Sequence, residues 1–374
     1  MTNGWPFEPL PDAEREIYGE RAFHRMIATE RKRTERTGDP FLLMLVKIEN
    51  APETEEKTGL LDRLASILLS FSRETDLIGW YKNHDTLGMI FTGLPTGDRD
   101  AIRSIILERV QGLMRRQLGL DWLEDVRIDS HFFPDDWDNG VSHTPMNPAL
   151  YPDLAYREQK GQFKYRAKRW IDVLGSMFVL FSLSPLLLLI ALAIKATSKG
   201  PVLFRQQRVG QYGRTFTFLK FRSMYIGNDS SVHREYVEKL IAGGAERHST
   251  PDGGEGIYKL TNDKRITAVG RFLRRASLDE LPQFLHVLKG EMSLVGPRPP
   301  IPYELAAYQP WHRRRILEAK PGITGLWQVA GRSRIPFDEM VRLDLQYATS
   351  WTPWMDIKIL LRTPHAVIRG SGAC

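Results

Sequence analysis

Two adjacent carboxylates, Asp279 and Glu280, lie among residues that suit chemistry on a phosphate group. They lie in the segment Ser277-Leu-Asp-Glu-Leu-Pro-Gln283, where glutamate follows serine at the spacing of a capping box. We therefore predict that a helix begins at Ser277 and is distorted by Pro282 in its first turn. Leucines at helical spacing extend this predicted helix to residue 289 and give it one apolar face: Leu278, Leu281, Leu285 and Leu288.

The start of a helix is a favourable place for a reactive carboxylate. Backbone N–H groups point outward there, and the helix dipole favours negative charge, which keeps an aspartate ionised and also attracts phosphates. Basic residues flank the dyad on both sides: Arg271, Arg274, Arg275, Arg298 and Arg332. The alternative is an ordinary helix cap whose acids only complement the dipole. Spacing alone does not rank the two neighbours as nucleophiles.

Composition limits the classes of protein to consider. A chain of 374 residues suggests two or three domains, and its formal charge of +7 fits an acidic partner such as a nucleotide, a phospholipid surface or nucleic acid. The single cysteine, Cys374, excludes a disulfide framework and indicates a reducing compartment. We find no pattern of a cleavable signal peptide in the first residues.

The first part of the chain has the pattern of a small α/β module. Helices are predicted at 12–38, 58–73 and 99–118, and strands at 41–46, 76–81, 86–91 and 126–133. The polar turn 82–85 joins two of these strands into a hairpin. Residues 136–164, rich in Pro, Asp, Asn and Tyr, are predicted to be a linker.

This module resembles a degenerate GGDEF domain, the fold of diguanylate cyclases. The family's signature turn falls on Tyr81-Lys-Asn-His-Asp85, where Lys82 and Asn83 replace two glycines. Lys47 replaces the metal-binding acid at the end of the first strand. A cyclase needs acids to hold two magnesium ions on a triphosphate, so these replacements argue against cyclase activity.

A second feature of the same resemblance concerns Arg73 and Asp76. They have the spacing of the family's inhibitory RxxD site, which binds cyclic di-GMP through arginine on phosphate or guanine and aspartate on the guanine edge. The alternative is an ion pair at the end of a helix. Binding of cyclic di-GMP is therefore an expectation that rests on the resemblance.

The strongest compositional signal is the segment Val173 to Ile194, which contains no charged residue and is long enough to span a bilayer. Basic residues lie on both sides: Lys160, Lys164, Arg166, Lys168, Arg169, Lys195, Lys199, Arg205 and Arg208. Positive charge at both ends favours keeping both on the cytoplasmic side. Ser184-Pro185 interrupts the segment and frees the carbonyl of Phe181 for a serine hydroxyl. We predict a broken helix that enters and returns, with a straight span as the alternative.

The rest of the chain is predicted to contain short elements. Gly200–Gly210 and Thr215–Arg222 form a strand pair, 226–255 is a polar excursion with a helix at 231–242, and amphipathic helices follow at 278–289, 302–317 and 337–348. Aromatic residues accompany these helices: Tyr303, Tyr308, Trp311, Trp327, Trp351 and Trp354. Beside Arg313–Arg315 they suit either an RNA-binding surface or the headgroup layer of a membrane. The apolar segment favours the membrane, and no nucleic acid partner is expected.

Over residues 165–367 the sequence resembles the bacterial sugar transferase family, the monotopic phosphoglycosyl transferases. The matching blocks are Lys168-Arg169-x-x-Asp172, Ser184-Pro185, Gly200 to Gly210, Lys220 to Met224, Asp263 to Gly270, Ser277 to Gln283, Gly296 to Pro299, Pro321 to Arg332 and Asp344-x-x-Tyr347. The family transfers a sugar-1-phosphate from a UDP-sugar to polyprenyl phosphate at the cytoplasmic face of the bacterial inner membrane. It releases UMP, uses magnesium and has a re-entrant helix broken at Ser-Pro.

The resemblance implies a role for each matched residue. Asp279 would attack the β-phosphate, Glu280 would deprotonate or position the polyprenyl phosphate, and both are candidate magnesium ligands. Phosphate-binding candidates are Arg274, Arg298, Arg332 and, more weakly, Lys220 and Arg222, whose alternative role is structural. Lys168, Arg169, Asp172, Ser184 and Pro185 are expected to anchor the re-entrant helix.

The expected fold class is α/β. The predicted order is a tail (1–19), a GGDEF-like α/β domain (20–135), a linker (136–164), and a mixed α/β transferase domain (165–374) with a re-entrant helix at 168–195 and interfacial amphipathic helices. We expect a membrane enzyme of exopolysaccharide or capsule synthesis and a homodimer. A catalytically silent, membrane-anchored cyclic di-GMP receptor and a tethered cyclase are the alternatives. The sequence does not identify the sugar.

Overall fold

The computed structural model describes residues 17–49, 55–95, 97–118, 125–134, 147–154, 162–225, 231–244, 265–331 and 334–368. The chain divides into two compact units, which are described separately. The first comprises Met1–Asp136 and Asn147–Ala155, and the second comprises Trp137–Met146 and Tyr156–Cys374.

The first unit is an α/β module with one four-stranded antiparallel sheet. Its elements are α1 (Glu20–Thr37), β1 (Phe41–Ile48), α2 (Glu55–Phe71), β2 (Leu77–Lys82), β3 (Thr86–Phe91), α3 (Arg99–Leu118) and β4 (Val126–Phe133), and the strand order is β2-β3-β1-β4. The predicted order of helices and strands is confirmed. The first helix begins later than predicted, because Tyr18 pairs with β2 through its N–H to the Ile78 carbonyl at 3.0 Å.

The core of this unit explains why its central strand is so apolar. Leu42, Met44 and Val46 of β1 are fully buried with residues of α2 and α3. Phe23 of α1 packs onto two glycines, Gly79 of β2 and Gly88 of β3, which face each other across the hairpin. A Cβ atom at Gly88 would lie 2.2 Å from the Phe23 ring, so the pair leaves the space that this ring fills.

Part of the predicted linker belongs to the first unit. Residues 147–154 contain a 3₁₀ turn, Pro148–Leu150, and bury the side chains of Leu150 and Tyr151. The Arg31 guanidinium forms an ion pair with Asp153 and lies 4.2 Å from the centroid of the Tyr151 ring. Because Arg31 lies on α1, these contacts link the segment to that helix.

The second unit contains ten helices and four short strands in its described part. They are α4 (Gln162–Ser182), α5 (Ser184–Thr197), β5 (Leu203–Val209), β6 (Thr215–Phe221), α6 (Ser231–Ile241), α7 (Ala268–Arg275), α8 (Phe284–Lys289), β7 (Ser293–Val295), α9 (Pro302–Ala306), α10 (Pro310–Glu318), β8 (Gly322–Thr324), α11 (Leu326–Ala330), α12 (Phe337–Ser350) and α13 (Pro353–Ile368). A 3₁₀ helix, Leu278–Gln283, precedes α8. β5 and β6 are antiparallel, and β7 and β8 are parallel.

Helices α4 and α5 form a bent apolar pair. Within the described residues, no single helix is long and apolar enough to cross a bilayer, whereas this pair meets that test of length and composition with a bend of 61°. The Ser184 hydroxyl donates to the Phe181 carbonyl at 2.8 Å, as predicted for the break. Large apolar side chains are exposed along both helices: Phe163, Trp170, Leu174, Met177, Phe178, Phe181, Leu188, Leu189 and Leu192.

The prediction of one continuous helix over residues 302–317 is wrong. The segment 302–317 forms two helices, α9 and α10, instead of one. Pro310 begins the second helix, and Gln309 before it is extended, with φ −65° and ψ 155°. A proline disfavours helical backbone in the preceding residue and has no N–H to donate, so it begins a new helix and does not continue the first.

A close approach of backbones joins two of the family-like blocks. A Cβ atom at Gly296 would lie 2.1 Å from the Lys320 carbonyl oxygen, and one at Gly322 would lie 2.0 Å from the Gly296 nitrogen. Only glycine permits this packing of the segment after β7 onto the segment before β8. The contact fixes the loop that carries Arg298.

Candidate active site

The dyad lies on the 3₁₀ helix Leu278–Gln283, and its geometry differs from the capping box predicted at Ser277. Ser277 has a left-handed backbone, with φ 54°, and its side chain makes no capping hydrogen bond. The Glu280 N–H instead contacts the Ser277 carbonyl at 3.3 Å, and the Glu280 side chain points to Lys220. A cap depends on backbone dihedrals that residue spacing does not encode, and Pro282 favours the tighter 3₁₀ turn.

The apolar face predicted for this helix is also different. Leu285 is 41% exposed, whereas Pro282, Gln283, His286 and Val287 are buried. The 3₁₀ geometry of the first six residues shifts the faces relative to a continuous α-helix.

The two carboxylates have different surroundings. Asp279 is buried, with 7% of its surface exposed. Glu280 is partly exposed and forms an ion pair with Lys220 of β6, with Nζ to Oε1 at 2.7 Å. In the part of the chain that the structure describes, no cation forms an ion pair with Asp279. The lysine therefore binds one carboxylate and leaves its buried neighbour without an ion pair.

Burial and neighbouring charges shift the pKa values of the two acids in opposite directions. Burial raises the pKa of Asp279, and the charge of Glu280 adds to this, although Lys220 and Arg274 oppose it. Burial also disfavours the charged form of Glu280, but Lys220 and Arg298 outweigh it and lower the pKa of that carboxyl. Neighbouring acids whose pKa values are pushed apart take different chemical roles. The structure thus distinguishes two residues that spacing left equal.

Three arginines act on the dyad. Arg274 of α7 acts on Asp279, while Arg298, which is exposed, and Arg208 act on Glu280. Arg208 was not predicted as a site residue. It is buried, donates to the Pro299 carbonyl at 2.9 Å, and burial lowers its pKa to about 10. In the sequence it is one of the charges that follow the apolar segment and lies in the matching block Gly200 to Gly210, but neither feature indicates a buried site.

The predicted phosphate ligand Arg222 has a structural role. Its guanidinium donates to the Lys199 carbonyl at 2.9 Å and the Ser198 carbonyl at 2.8 Å, at the end of α5. Since it is buried and engaged there, the structure favours the structural alternative for Arg222. Arg332, the other candidate after the dyad, lies outside the described residues.

Helix α7, which carries Arg274, is fixed to the strand that carries Lys220. The Thr267 N–H donates to the Ser223 carbonyl at 3.0 Å, and the Thr267 hydroxyl accepts from Gly270 N at 2.9 Å. A Cβ atom at Gly270 would lie 2.0 Å from the Ser223 oxygen. These contacts join the family-like block at 220–224 to residues 265–270 of the next block.

The predicted anchor residues of α4 contact the body of the second unit. Lys168 forms an ion pair with Asp356 at 2.7 Å and donates to the Tyr347 hydroxyl at 3.0 Å. Arg169 donates to the carbonyls of α8, at 2.5 Å for Val287 and 2.7 Å for Leu288.

The third anchor residue, Asp172, contacts β7. Its Oδ1 accepts from the Ser293 hydroxyl and the Leu294 N–H, both at 2.9 Å. The polar end of α4 is thus joined to the helix that follows the dyad, to β7 and to α13.

The basic and aromatic set at 303–354 is not one surface. Arg313 and Arg315 are buried, Arg315 pairs with Asp344 at 2.6 Å, and Arg314 pairs with Glu318 at 2.6 Å. The aromatic members divide in the same way: Tyr308 and Trp327 are buried, whereas Trp354 is 60% exposed. The expectation of a shared headgroup or RNA surface is therefore wrong for the residues that are buried: Tyr308, Arg313, Arg315 and Trp327.

Magnesium was expected at Asp279 and Glu280, and the donor set fits it. No group of three or more His, Cys, Asp or Glu able to hold a metal exists among the described residues. Magnesium, however, is commonly held by one or two carboxylates together with phosphate oxygens of the substrate. Asp279 and Glu280, with Lys220, Arg274 and Arg298 nearby to attract a phosphate, fit that arrangement.

The candidate cyclic di-GMP site in the first unit is small and exposed. The Asp76 carboxylate accepts from the Arg73 backbone N–H at 3.0 Å and closes the turn between α2 and β2. In the former signature turn, Lys82 and Asp85 lie 3.5 Å apart. The observed contact of Asp76 is to the backbone and differs from the ion pair considered as the alternative.

Comparison with known proteins identifies the second unit. A model of the bacterial sugar transferase family matches residues 163–370, more than half of the chain. The chain is 45% identical over 208 residues to the galactosyl transferase CpsE of Streptococcus agalactiae, covering 55% of this chain and 43% of that protein. It is 43% identical over 233 residues to an undecaprenyl-phosphate galactose phosphotransferase of Salmonella typhimurium, covering 62% and 46%.

Another relative is a UDP-glucose:undecaprenyl-phosphate glucose-1-phosphate transferase of Caulobacter vibrioides, 40% identical over 217 residues, covering 55% of this chain and 71% of that one. The chain spans less than half the length of the first two relatives. The solved structure of a DGC protein from Thermotoga maritima aligns with 33% of this chain and 86% of its own, at 20% identity and a TM-score of 0.27. On the match over residues 163–370, the chain belongs to the bacterial sugar transferase family.

Proposed function

We propose that this protein transfers a sugar-1-phosphate from a UDP-sugar to polyprenyl phosphate through a covalent intermediate on Asp279. The observation that carries the proposal is the arrangement of the dyad. Asp279 is buried and free of an ion pair among the described residues, whereas its neighbour Glu280 is bound to Lys220. Family membership and the printed names of the relatives, which transfer galactose or glucose phosphate to undecaprenyl phosphate, support the substrate classes.

In the first step, a carboxylate oxygen of Asp279 attacks the β-phosphorus of the UDP-sugar. A bond forms between that oxygen and phosphorus, and the bond from phosphorus to the bridging oxygen breaks, so that UMP leaves with the electron pair. A carboxylate removed from water is a stronger nucleophile than a solvated one, which agrees with the raised pKa of Asp279. Arg274 lies close enough to act on this carboxylate and is placed to bind phosphate oxygens.

In the second step, an oxygen of polyprenyl phosphate attacks the same phosphorus and displaces the Asp279 carboxylate. The product is a polyprenyl diphosphate sugar. Glu280, held by Lys220, orients the attacking phosphate and accepts any proton that it carries. Arg298 and Arg208, which act on Glu280, supply positive charge for the second phosphate.

Magnesium would be held by Asp279 and Glu280 with substrate oxygens. When bound, it supplies charge neutralisation between the carboxylate and the diphosphate. The lysine and arginines of the site already provide part of that neutralisation.

We further propose that α4 and α5 enter and leave the cytoplasmic leaflet of the bacterial inner membrane. The 61° bend, the exposed apolar side chains and the basic residues at both ends support this topology. It would bring a soluble sugar nucleotide and a lipid phosphate to one aspartate. Labelling of the second unit from the periplasmic side of intact cells would contradict this topology. The product fits the start of exopolysaccharide or capsule assembly.

The test is an assay of UMP release. Purified protein is incubated with magnesium, undecaprenyl phosphate and, in separate reactions, UDP-glucose, UDP-galactose and their N-acetylated analogues. We expect UMP with at least one donor and none from Asp279→Asn. Absence of UMP with every donor, or an active Asp279→Asn, contradicts the proposal. A homodimer and control by cyclic di-GMP stay predictions.

A further inference from the structure

His286 lies on α8, just after the dyad helix, and has not been assigned a role. It is buried, with 1% of its surface exposed, and both ring nitrogens have partners. Leu219 N donates to Nε2 at 3.0 Å, and Nδ1 lies 2.6 Å from the Glu291 carboxylate. A backbone amide only donates, so Nε2 is an acceptor and the ring proton is on Nδ1, donated to Glu291. This arrangement requires a neutral imidazole.

The hydrogen bond from Leu219 fixes the strand that carries Lys220. β6 pairs with β5 along one edge, in a register that places Leu219 opposite Arg205. In this two-stranded sheet the other edge of β6 has backbone groups that need partners from outside the sheet. His286 supplies one of them, at the residue that precedes Lys220.

A second connection between His286 and Lys220 passes through the Phe218 ring. Phe216, Phe218 and Lys220 alternate along β6 and share one face of the strand. The Phe218 ring is nearly parallel to the His286 imidazole, at 7° with centroids 6.0 Å apart. Lys220 Nζ lies 5.7 Å from the Phe218 centroid, and Arg208 Cζ lies 5.3 Å from it. The ring that stacks on His286 therefore also contacts two cations of the active site.

We propose that His286 is a positioning residue, which holds Lys220 against Glu280 through the Leu219 N–H and the Phe218 ring. The inference rests on the proposed transferase function, because its effect is measured as UMP release. His286 does not touch the reacting atoms. It joins the helix after the dyad to the strand that bears the dyad's lysine.

The position of Lys220 has a measurable consequence. Lys220 binds Glu280 at 2.7 Å, so a displaced Lys220 leaves that carboxylate unpaired. If His286 acts by holding Lys220, replacing His286 has little further effect on UMP release once Lys220 is already replaced by methionine. A general loss of stability would instead add its own effect to that of Lys220→Met.

The experiment compares UMP release by three variants of the full-length protein and by His286→Leu combined with Lys220→Met. His286→Leu removes both ring contacts, His286→Gln keeps an acceptor where Nε2 lies, and His365→Leu removes an exposed histidine of α13 as the matched control. We expect His286→Leu to release UMP about tenfold more slowly than the wild type, but to slow Lys220→Met by less than about twofold. His286→Gln should recover to within about threefold of the wild type. The control should match the wild type.

A tenfold loss when His286→Leu is added to Lys220→Met, or no recovery in His286→Gln, overturns the inference while leaving the transferase function intact. Wild-type protein that releases no UMP overturns the function and the inference together. If His286→Leu does not fold, Phe218→Leu provides the same test, because it removes the ring that contacts Lys220. A loss in Phe218→Leu that adds in full to that of Lys220→Met then contradicts the proposal.

Discussion

Two buried aspartates of the second unit, Asp279 and Asp344, show how similar burial leads to different roles. Burial raises the pKa of each, that of Asp344 to about 6. Asp344 is paired directly with the Arg315 guanidinium at 2.6 Å. Asp279 has no ion pair among the described residues, since Lys220 binds Glu280 instead. A buried carboxylate that is paired cannot be removed without leaving its partner's charge unpaired, whereas one without an ion pair is available to react.

The surroundings of the two aspartates extend this contrast. Arg315 also lies 3.4 Å from the Tyr308 hydroxyl and 3.5 Å from the Arg298 carbonyl, so its pair with Asp344 holds α10, α12 and the Arg298 loop together. The dyad instead keeps an exposed side, with 35% of the Glu280 side chain accessible. Substrate can approach the dyad, whereas Asp344 is only 1% exposed.

The largest expected effect belongs to Asp279→Asn. The amide has nearly the same shape but cannot form a stable bond to phosphorus, so UMP release should fall by at least about three orders of magnitude. Thermal unfolding of the variant should stay close to that of the wild type, because no ion pair is lost. Activity within tenfold of the wild type would remove Asp279 from the reaction.

Asp344→Asn should lower the free energy of unfolding and have little effect on the rate of the reaction. It leaves the Arg315 charge buried and unpaired, which costs about 3–5 kcal/mol for pairs of this kind. The free energy of unfolding by urea measures the effect, and UMP release per folded molecule should change far less than in Asp279→Asn. An unchanged free energy of unfolding would show that the contrast between the two aspartates is wrong.

Lys220 and Glu280 are expected to shift the pH dependence in opposite directions. UMP release requires ionised Asp279 and is lost as pH falls through its raised pKa. Lys220 lowers that pKa and Glu280 raises it, so Lys220→Met moves the acid limb to higher pH and Glu280→Gln moves it to lower pH. We expect a loss of about tenfold to a hundredfold near neutral pH in each. Limbs that move in the same direction contradict the assignment.

The smallest effect on catalysis is expected in the first unit. Arg73→Ala should leave UMP release without ligand unchanged, because Asp76 bonds to the Arg73 backbone and not to its side chain in the observed contact. If the RxxD site binds cyclic di-GMP, the same variant should weaken binding in an equilibrium titration. No binding by the wild type at about tens of micromolar, or equal binding by Arg73→Ala, counts against that site.

Much of the fold follows from local patterns in the sequence. The strands and the hairpin of the first unit alternate or are continuously apolar, and the break at Ser184-Pro185 follows from the missing proline N–H. The dyad, Lys220, Arg274 and Arg298 were identified through the family resemblance, and the structure brings them together. Local chemistry and motif spacing were sufficient for these features.

The remaining features depend on partners far apart in the chain. The role of Arg222 is set by carbonyls at the end of α5, and that of Arg315 by Asp344. Residues 147–154 pack on the first unit through Arg31, although their composition is that of a linker. The left-handed backbone at Ser277 replaces a capping box that the residue types predict. Such contacts are determined by tertiary packing, which no local pattern records.

The central claim is that Asp279 forms a bond to the phosphosugar, and peptide mass spectrometry tests it most directly. The protein is incubated with a UDP-sugar and magnesium without polyprenyl phosphate, quenched in acid and digested. We expect a mass increase equal to one sugar phosphate, assigned to the peptide that contains Asp279 and removed by adding undecaprenyl phosphate. UMP release without an adduct, or an adduct on another residue, would contradict the account.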